Sequence, residues 1–158
     1  MAPMTLEQLS DRLEVDDLLT RYATAIDTKD WDLYETVFTE DAFIDYESAG
    51  GIKGKLPEVC AWLEKTMAMF PMTQHVVCNR VVELDGDKGT ARSVFYNPMA
   101  LPGEDKAHVL FFDGGYYNDQ LVRTEDGWRI CERIEDSSYS TRLSKVLPPM
   151  SDALPVVK

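Results

Sequence analysis

The sequence predicts a single α+β domain, in which three N-terminal helices pack on a long, curved antiparallel sheet. Two observations lead to this fold class. Apolar residues recur at helical spacing through residues 5–70. After Pro71 the chain consists of long runs of β-branched and aromatic residues, separated by turn sequences that contain glycine. Helices followed by consecutive antiparallel strands are typical of α+β proteins.

The helices have recognisable start signals. Thr5 and Gln8 form a capping box. The apolar residues that then recur to about Ile26 are Leu6, Leu9, Leu13, Leu18 and Tyr22. Asp30 caps a second, short helix with Trp31, Tyr34 and Phe38 on its inner face. The stretch DAFIDYES predicts a short strand. Pro57 opens a third helix, whose predicted inner face consists of Val59, Trp62, Leu63, Thr66 and Phe70.

Four long strands are predicted at 73–85, 89–101, 107–123 and 127–140, joined by the turns DGDKG, PGED and TEDG. The first of these strands carries apolar residues on both of its faces. Alternation places Val77 and Val81 on one face, and the other face receives Val76, Cys78, Val82 and Leu84. Three helices cover one face of such a sheet, so we expect a partner subunit on the other, in a homodimer or homotrimer. The domain is predicted to span residues 1–146, and the proline-containing residues 147–158 to form an extended tail.

Composition excludes several classes of partner. The net charge of −12, from 16 basic and 28 acidic residues, disfavours binding to nucleic acid or to an anionic membrane. No apolar run is long enough to span a bilayer, and the acidic N-terminus does not resemble a signal or transit peptide. Cys60, Cys78 and Cys131 show no CxxC spacing, which favours reduced thiols and a cytoplasmic protein.

Two residues stand out as candidates for chemistry. Asp27 follows the apolar pattern of the first helix at its C-terminal end, where the helix dipole disfavours a carboxylate. His75 opens the valine-rich strand and is one of only two histidines. Each has a structural alternative: DTKD is a plausible polar turn, and a lone histidine on a half-apolar strand is often a packed side chain.

The sequence also resembles a known family. The stretches YATAIDTKDWDLYETVFTEDA, TQHVV and DGWRI are similar to the SnoaL-like branch of the nuclear transport factor 2 (NTF2-like) superfamily. That branch includes scytalone dehydratase, bile acid 7α-dehydratase and hexachlorocyclohexane dehydrochlorinase. The resemblance covers about residues 5 to 140 and implies a cone-shaped α+β barrel with a hollow centre. The same cone serves lyases, isomerases, hydrolases and non-catalytic binders.

The resemblance implies roles for individual residues. Asp27 and His75 match the family's Asp–His pair, in which the carboxylate fixes the imidazole tautomer and the histidine acts as a general base. Tyr22 and Tyr46 match substrate-binding tyrosines, with core packing as the alternative for each. Asn97 stands where relatives carry an acid or a histidine, so it can bind an oxygen but cannot transfer a proton. The alternative is that YNP forms a bulge or a turn.

His108, the other histidine, is a candidate to reach the cavity; the alternative is a residue at the edge of a loop. Neither histidine has the spacing of a zinc site, and nucleotide-binding motifs are missing from the sequence. The predicted function is therefore a cofactor-independent lyase of a hydrophobic, hydroxylated aromatic or polycyclic molecule, which loses water, formaldehyde or halide. An isomerase, a polyketide-type cyclase and a non-catalytic binding module remain alternatives.

Overall fold

Helix α1 (Leu6–Thr28) begins and ends as its sequence predicts. The Thr5 side chain accepts the Gln8 amide hydrogen, and the Gln8 side chain accepts that of Thr5, which completes the capping box. The helix ends at Lys29, which adopts a left-handed conformation with a φ of 57°. The structure is a computed structural model that describes the backbone of residues 3–103 and 108–147, and the side chains of residues 3–103 and 108–141.

The buried face of α1 differs from the predicted one. Leu6, Leu9 and Leu13 are exposed, at 87%, 45% and 67%. The core begins only at Val15, and the buried residues of the helix are Val15, Leu18, Leu19, Tyr22, Ala25 and Ile26. The first half of α1 therefore contacts the sheet only through polar side chains, such as Asp11 with Arg123 and Glu14 with the Trp128 amide. Only its second half packs apolar side chains on the core.

Two further helices follow. Helix α2 (Trp31–Glu35) is capped by Asp30, whose side chain accepts the Leu33 amide hydrogen. Phe38 is buried, but it begins strand β1 (Phe38–Asp45) rather than ending the helix. A 3-10 turn (Glu47–Ala49) and strand β2 (Lys53–Lys55) lead to α3 (Leu56–Met67).

The remaining strands are β3 (Met72–Thr73), β4 (Val76–Asp85), β5 (Lys88–Pro102), β6 (His108–Thr124) and β7 (Gly127–Leu147). Within the described residues, all seven strands form one strongly curled sheet in the order β2-β1-β7-β6-β5-β3, with β4 also paired to β5. The sheet is mixed rather than purely antiparallel, because β1 pairs with β7 in parallel. These two strands are far apart in the chain, so no hairpin forces them to be antiparallel.

The predicted strand 73–85 is interrupted twice. Gln74 and His75 separate β3 from β4. A bulge then lies between Cys78 and Val81, where Asn79 has a φ of 47°.

The prediction of which residues share a face of this strand was wrong because of the bulge. The extra residue reverses the alternation of side chains. Val77, Val82 and Leu84 consequently pack on the core, whereas Val76 and Val81 are exposed on the opposite face. The sheet nevertheless carries apolar residues on both faces, as expected.

The predicted C-terminal tail lies, apart from Leu147, outside the described residues. Strand β7 continues to Leu147, beyond the expected end near residue 140.

Candidate active site

A cavity of about 230 Å³ opens between the inner face of the curled sheet, the end of α1 and helix α3. Its apolar wall includes Trp62, Leu63, Met67, Phe70, Met99 and Phe111. Four of the predicted site residues also line it, namely Tyr22, Tyr46, His75 and Asn97. A mostly apolar pocket with a few converging polar groups is the usual form of a small-molecule site.

Asp27 and His75 form a two-point contact at the wall of this cavity. The Asp27 Oδ1 atom lies 2.7 Å from His75 Nδ1, and Oδ2 accepts the His75 backbone amide hydrogen at 2.8 Å. The second bond explains why His75 is not part of a strand, because its amide donates to Asp27 rather than to the sheet. The His75 side chain is only 7% exposed.

The contact fixes how the imidazole ring faces the cavity. A carboxylate accepts a hydrogen, so Nδ1 carries the proton and the neutral ring keeps Nε2 as an acceptor. Nε2 has no hydrogen-bond partner among the described residues, and His75 lines the cavity. The arrangement therefore presents a basic nitrogen to a bound molecule.

Asp27 is held in its ionised form. Burial alone would raise its pKa, but the hydrogen bonds from the His75 ring and backbone amide outweigh burial and lower the pKa. This explains a carboxylate at the unfavourable C-terminal end of a helix, because two donors from another segment stabilise its charge.

A chain of tyrosine hydroxyls crosses the cavity wall. The Tyr34 hydroxyl lies 3.3 Å from that of Tyr46, which lies 3.2 Å from that of Tyr22. Tyr22 donates to Tyr117 at 3.5 Å, and the Asn97 side-chain amide donates to Tyr117 at 3.2 Å. If each tyrosine donates to the next, the Tyr117 hydrogen is left for a bound molecule.

Burial raises the pKa of each tyrosine in this chain, so the hydroxyls are neutral donors. The Asn97 Oδ1 atom is buried and has no partner among the described residues.

A buried ion pair supports the tyrosines from behind. Arg133 and Asp119 are fully buried and form a bidentate pair, with both distances at 2.7 Å. The Arg133 guanidinium lies 4.0 Å from the Tyr22 ring centre and 4.3 Å from that of Tyr117. A cation against the ring faces positions both phenols and favours charge that develops on their oxygens.

Two carboxyl groups occupy the wall formed by β6 and β7. Asp113 and Glu135 line the cavity and are 4% and 8% exposed. Asp113 accepts hydrogen bonds from the Ser137 hydroxyl at 2.8 Å and from the Gly114 amide at 3.0 Å. The Glu135 carboxyl has no hydrogen bond within the described part of the chain.

A family model described as a SnoaL-like domain matches residues 7–134. The chain belongs to the SnoaL-like family. An uncharacterized protein of Mycobacterium tuberculosis, Rv2910c, is 42% identical over 136 residues, which cover 86% of this chain and 91% of that protein. The family match therefore includes the residues that line the cavity, except Glu135.

This SnoaL-like chain has structural neighbours in the NTF2-like superfamily. The Kfla4162 protein of Kribbella flavida is 31% identical, with 84% of this chain and 93% of that chain covered and a TM-score of 0.76. A type 2 hexachlorocyclohexane dehydrochlorinase (LinA) is 20% identical, with 92% and 99% covered and a TM-score of 0.78. At that identity the dehydrochlorinase shows a shared fold.

The SnoaL-like cavity brings together five of the six predicted site residues. Asp27 lies behind His75, and the other four line the cavity. His108 is the exception, because it begins β6 opposite Pro102 and Leu147 and is not among the residues that line the cavity.

Further polar residues were missed at the level of sequence. Asp113, Tyr117 and Glu135 line the cavity, and Asp119 and Arg133 lie behind its tyrosines. The alternation of RIE at 133–135 within a strand, with two charged residues on one face, was the available signal.

Within the described residues, no group of three or more His, Cys, Asp or Glu side chains is placed to hold a metal ion. None of the helices in that part of the chain combines the length and apolar character that a membrane span requires.

Proposed function

We propose that this SnoaL-like protein is a cofactor-independent lyase that removes water, halide or formaldehyde from a hydrophobic, hydroxylated small molecule. The observation that carries the proposal is the His75 ring, held by Asp27 through Nδ1 and facing the cavity with Nε2. Such a pair forms a base that works near neutral pH, because the carboxylate stabilises the imidazolium once it forms.

The proposed reaction uses this base first. His75 Nε2 removes a proton from carbon or from a hydroxyl, while Asp27 keeps the ring in its productive tautomer. The tyrosine chain and Asn97 bind the oxygen on which negative charge develops, and the Tyr117 hydrogen is the donor available to it. Arg133, stacked on two of the phenol rings, favours that charge without touching the substrate.

The cavity limits the size of the substrate. A cavity of roughly 150 Å³ accommodates benzene, so about 230 Å³ suits a molecule of one or two rings. The aromatic and methionine side chains of the wall favour an apolar skeleton. We therefore propose an aromatic substrate smaller than a four-ring polycyclic compound.

The experiment is a panel of one- and two-ring β-hydroxy ketones and their β-chloro analogues. Elimination from either gives a conjugated ketone, which is followed by its new ultraviolet absorbance. The parent protein is expected to turn over members of the panel, and His75→Ala to lose this activity while keeping its circular dichroism spectrum. Binding without turnover in the parent, or turnover in His75→Ala within a few-fold of the parent, would favour a non-catalytic binding module.

Two properties complete the proposal. We propose a homodimer or homotrimer, because the outer face of the sheet exposes Val76, Val81 and Tyr96. We also propose a cytoplasmic location, supported by the three free cysteines, Cys60, Cys78 and Cys131.

A further inference from the structure

The wall opposite His75 contains an acidic pair with no role in the mechanism above. In the register of the sheet, Asn97 pairs with Asp113 between β5 and β6, and Tyr117 pairs with Glu135 between β6 and β7. Glu135 lies three strands away from His75 and, because it pairs with Tyr117 rather than with Asp113, it is also displaced by four residues along the strands. The two side chains are therefore well separated along the sheet surface. The sheet is curled and both side chains line one cavity, so a small substrate between them faces both.

Glu135 and Asp113 differ in the hydrogen bonds that their carboxyl groups accept. Asp113 accepts two hydrogen bonds, from Ser137 and Gly114, that stabilise a carboxylate. Glu135 has no hydrogen bond among the described residues, is 8% exposed and lines the cavity. A carboxyl group in that setting is stabilised by remaining neutral, or by donating a hydrogen bond to a bound molecule.

The surrounding charges favour the neutral form. Burial and then the Asp113 carboxylate raise the pKa of Glu135 from its ordinary value to about 8, and Arg133 acts in the opposite direction. Asp45 on β1 raises it further. The neutral hydroxyls of Tyr22 and Tyr117 also interact with it. Glu135 therefore holds a transferable proton at neutral pH.

We propose that Glu135 is a catalytic residue, the general acid that protonates a departing hydroxyl, and that the substrate is a β-hydroxy carbonyl compound that loses water. The inference rests on the proposed function and selects among its leaving groups. Hydroxide leaves carbon poorly unless it is protonated, whereas halide leaves as a stable anion. A neutral carboxyl in the cavity therefore assists the loss of water, whereas the loss of halide does not need it.

The proposed reaction is an elimination of water with one proton removed and one donated. His75 Nε2 takes the proton from the carbon next to the carbonyl, and the electron pair of that C–H bond becomes the new C=C bond. The C–O bond to the hydroxyl breaks, and Glu135 donates its proton to the departing oxygen, which leaves as water. His75 then releases its proton to solvent and Glu135 takes one up, so the net reaction is substrate to enone plus water.

Other cavity groups do not offer the same proton. Asn97 has no acidic hydrogen. The tyrosines are held as neutral phenols by pKa values above their ordinary one, which makes them donors of hydrogen bonds rather than of protons. Burial raises the pKa of Asp113 as well, but the hydrogen bonds from the Ser137 hydroxyl and the Gly114 amide act in the opposite direction. Asp113 is therefore the better carboxylate of the acidic pair, because Glu135 has no such donors among the described residues.

The decisive experiment compares two substrates that differ only in their leaving group. The hydroxy probe is the water adduct of benzylideneacetone, and the chloro probe is its hydrogen chloride adduct; both yield the same conjugated ketone. Glu135→Gln keeps the shape of the side chain but has no proton to transfer. We expect it to lower turnover of the hydroxy probe by about 10²-fold or more, the usual contribution of a general acid, and to leave the chloro probe within a few-fold of the parent.

The controls separate this inference from the proposed function. His75→Ala is expected to lose activity on both probes. Equal losses on the two probes in Glu135→Gln would overturn the acid role while leaving the base in place. Activity of His75→Ala on both would instead overturn the proposed function itself.

A measurement without substrate tests the acid directly. With carbon-13 in glutamate side chains, the Glu135 carboxyl signal is identified by its loss in Glu135→Gln and then followed against pH. We expect ionisation near pH 8 in the parent and at lower pH in Asp113→Asn, which removes the neighbouring negative charge. A carboxyl already ionised at about pH 6, or one indifferent to Asp113→Asn, would contradict the inference.

Discussion

Asp27 and Asp30 lie three residues apart in one polar turn, but the structure gives them different partners. Asp27 binds the His75 ring and amide, whereas Asp30 caps α2. We expect Asp27→Asn to lower turnover by about two to four orders of magnitude, because an amide stabilises the wrong tautomer and no imidazolium. Asp30→Asn retains a capping oxygen and is expected to stay within a few-fold of the parent.

The same pair of variants has a readout that needs no activity. Nitrogen-15 shifts of the His75 ring should report one tautomer in the parent and in Asp30→Asn, and a changed tautomer in Asp27→Asn. Unchanged ring shifts and turnover in Asp27→Asn would leave Asp27 as a turn residue only.

Burial of Glu135 also makes stability depend on pH. Its ordinary pKa is 4.5 and its folded pKa is about 8, so between these values the native state holds a proton that the unfolded chain has released. The free energy of unfolding then falls as pH rises, by up to about 1.4 kcal/mol per pH unit.

We expect Glu135→Gln to remove this part of the pH dependence, so that its melting temperature declines less than the parent's between about pH 5 and pH 8. Glu83→Gln, at an exposed position, serves as the control. Identical melting profiles for the parent and Glu135→Gln would show that Glu135 titrates as an ordinary exposed acid.

Sequence reasoning identified some site residues and missed others for a physical reason. Asp27 violates the preference of a helix C-terminus, and His75 interrupts a valine-rich run, so both are locally anomalous. Glu135 and Arg133 are not anomalous in the local sequence, because alternating polar residues fit any half-exposed strand. Only the register and curl of the sheet turn their face inward, and these depend on contacts that are distant in the chain.

At the scale of elements, the predicted helix starts were accurate because they depend on local signals such as Thr5, Asp30 and Pro57. The turns DGDKG and TEDG were also accurate, whereas PGED lies partly outside the described residues. The faces of β4 were wrong because no residue in the stretch VCNRVV marks the bulge strongly. The parallel pairing of β1 with β7 is likewise set by the whole sheet.

The bulge itself offers a test at Asn79, which has a φ of 47° and is exposed. A β-branched residue is strained in this left-handed region, whereas glycine is not. We expect Asn79→Val to lose about 1–2 kcal/mol of unfolding free energy and Asn79→Gly to lose little, as measured by urea denaturation. Equal midpoints for the two variants would argue against the bulged register.

At the scale of the whole molecule, two exposed apolar surfaces compete as the site of self-association. One is the outer face of the sheet around Val81, which is 61% exposed, and the other is the start of α1 around Leu13, which is 67% exposed. The apolar surface of the sheet face is more continuous than that of the helix, because Tyr96 stacks on Phe112 there with their ring centres 5.7 Å apart.

We expect light scattering to give a mass two or three times that of the 17.9 kDa chain. Val76→Glu should reduce it to the monomer, because Val76 pairs with Tyr96 across the strands and a buried charge without a partner is costly. Leu13→Glu should leave the mass unchanged. A monomeric parent would contradict self-association, and dissociation by Leu13→Glu alone would move the interface to the helix.

The uneven burial of α1 also has a consequence for local opening. The helix is about 34 Å long; its start is exposed, and its end, which holds Asp27, is anchored by buried side chains. Segments with few buried contacts open most readily, so amide hydrogens should exchange fast near Leu9 and slowly near Ile26. The helix can then fray from its start without disturbing the Asp27 end, which makes the N-terminus a suitable place to attach a label.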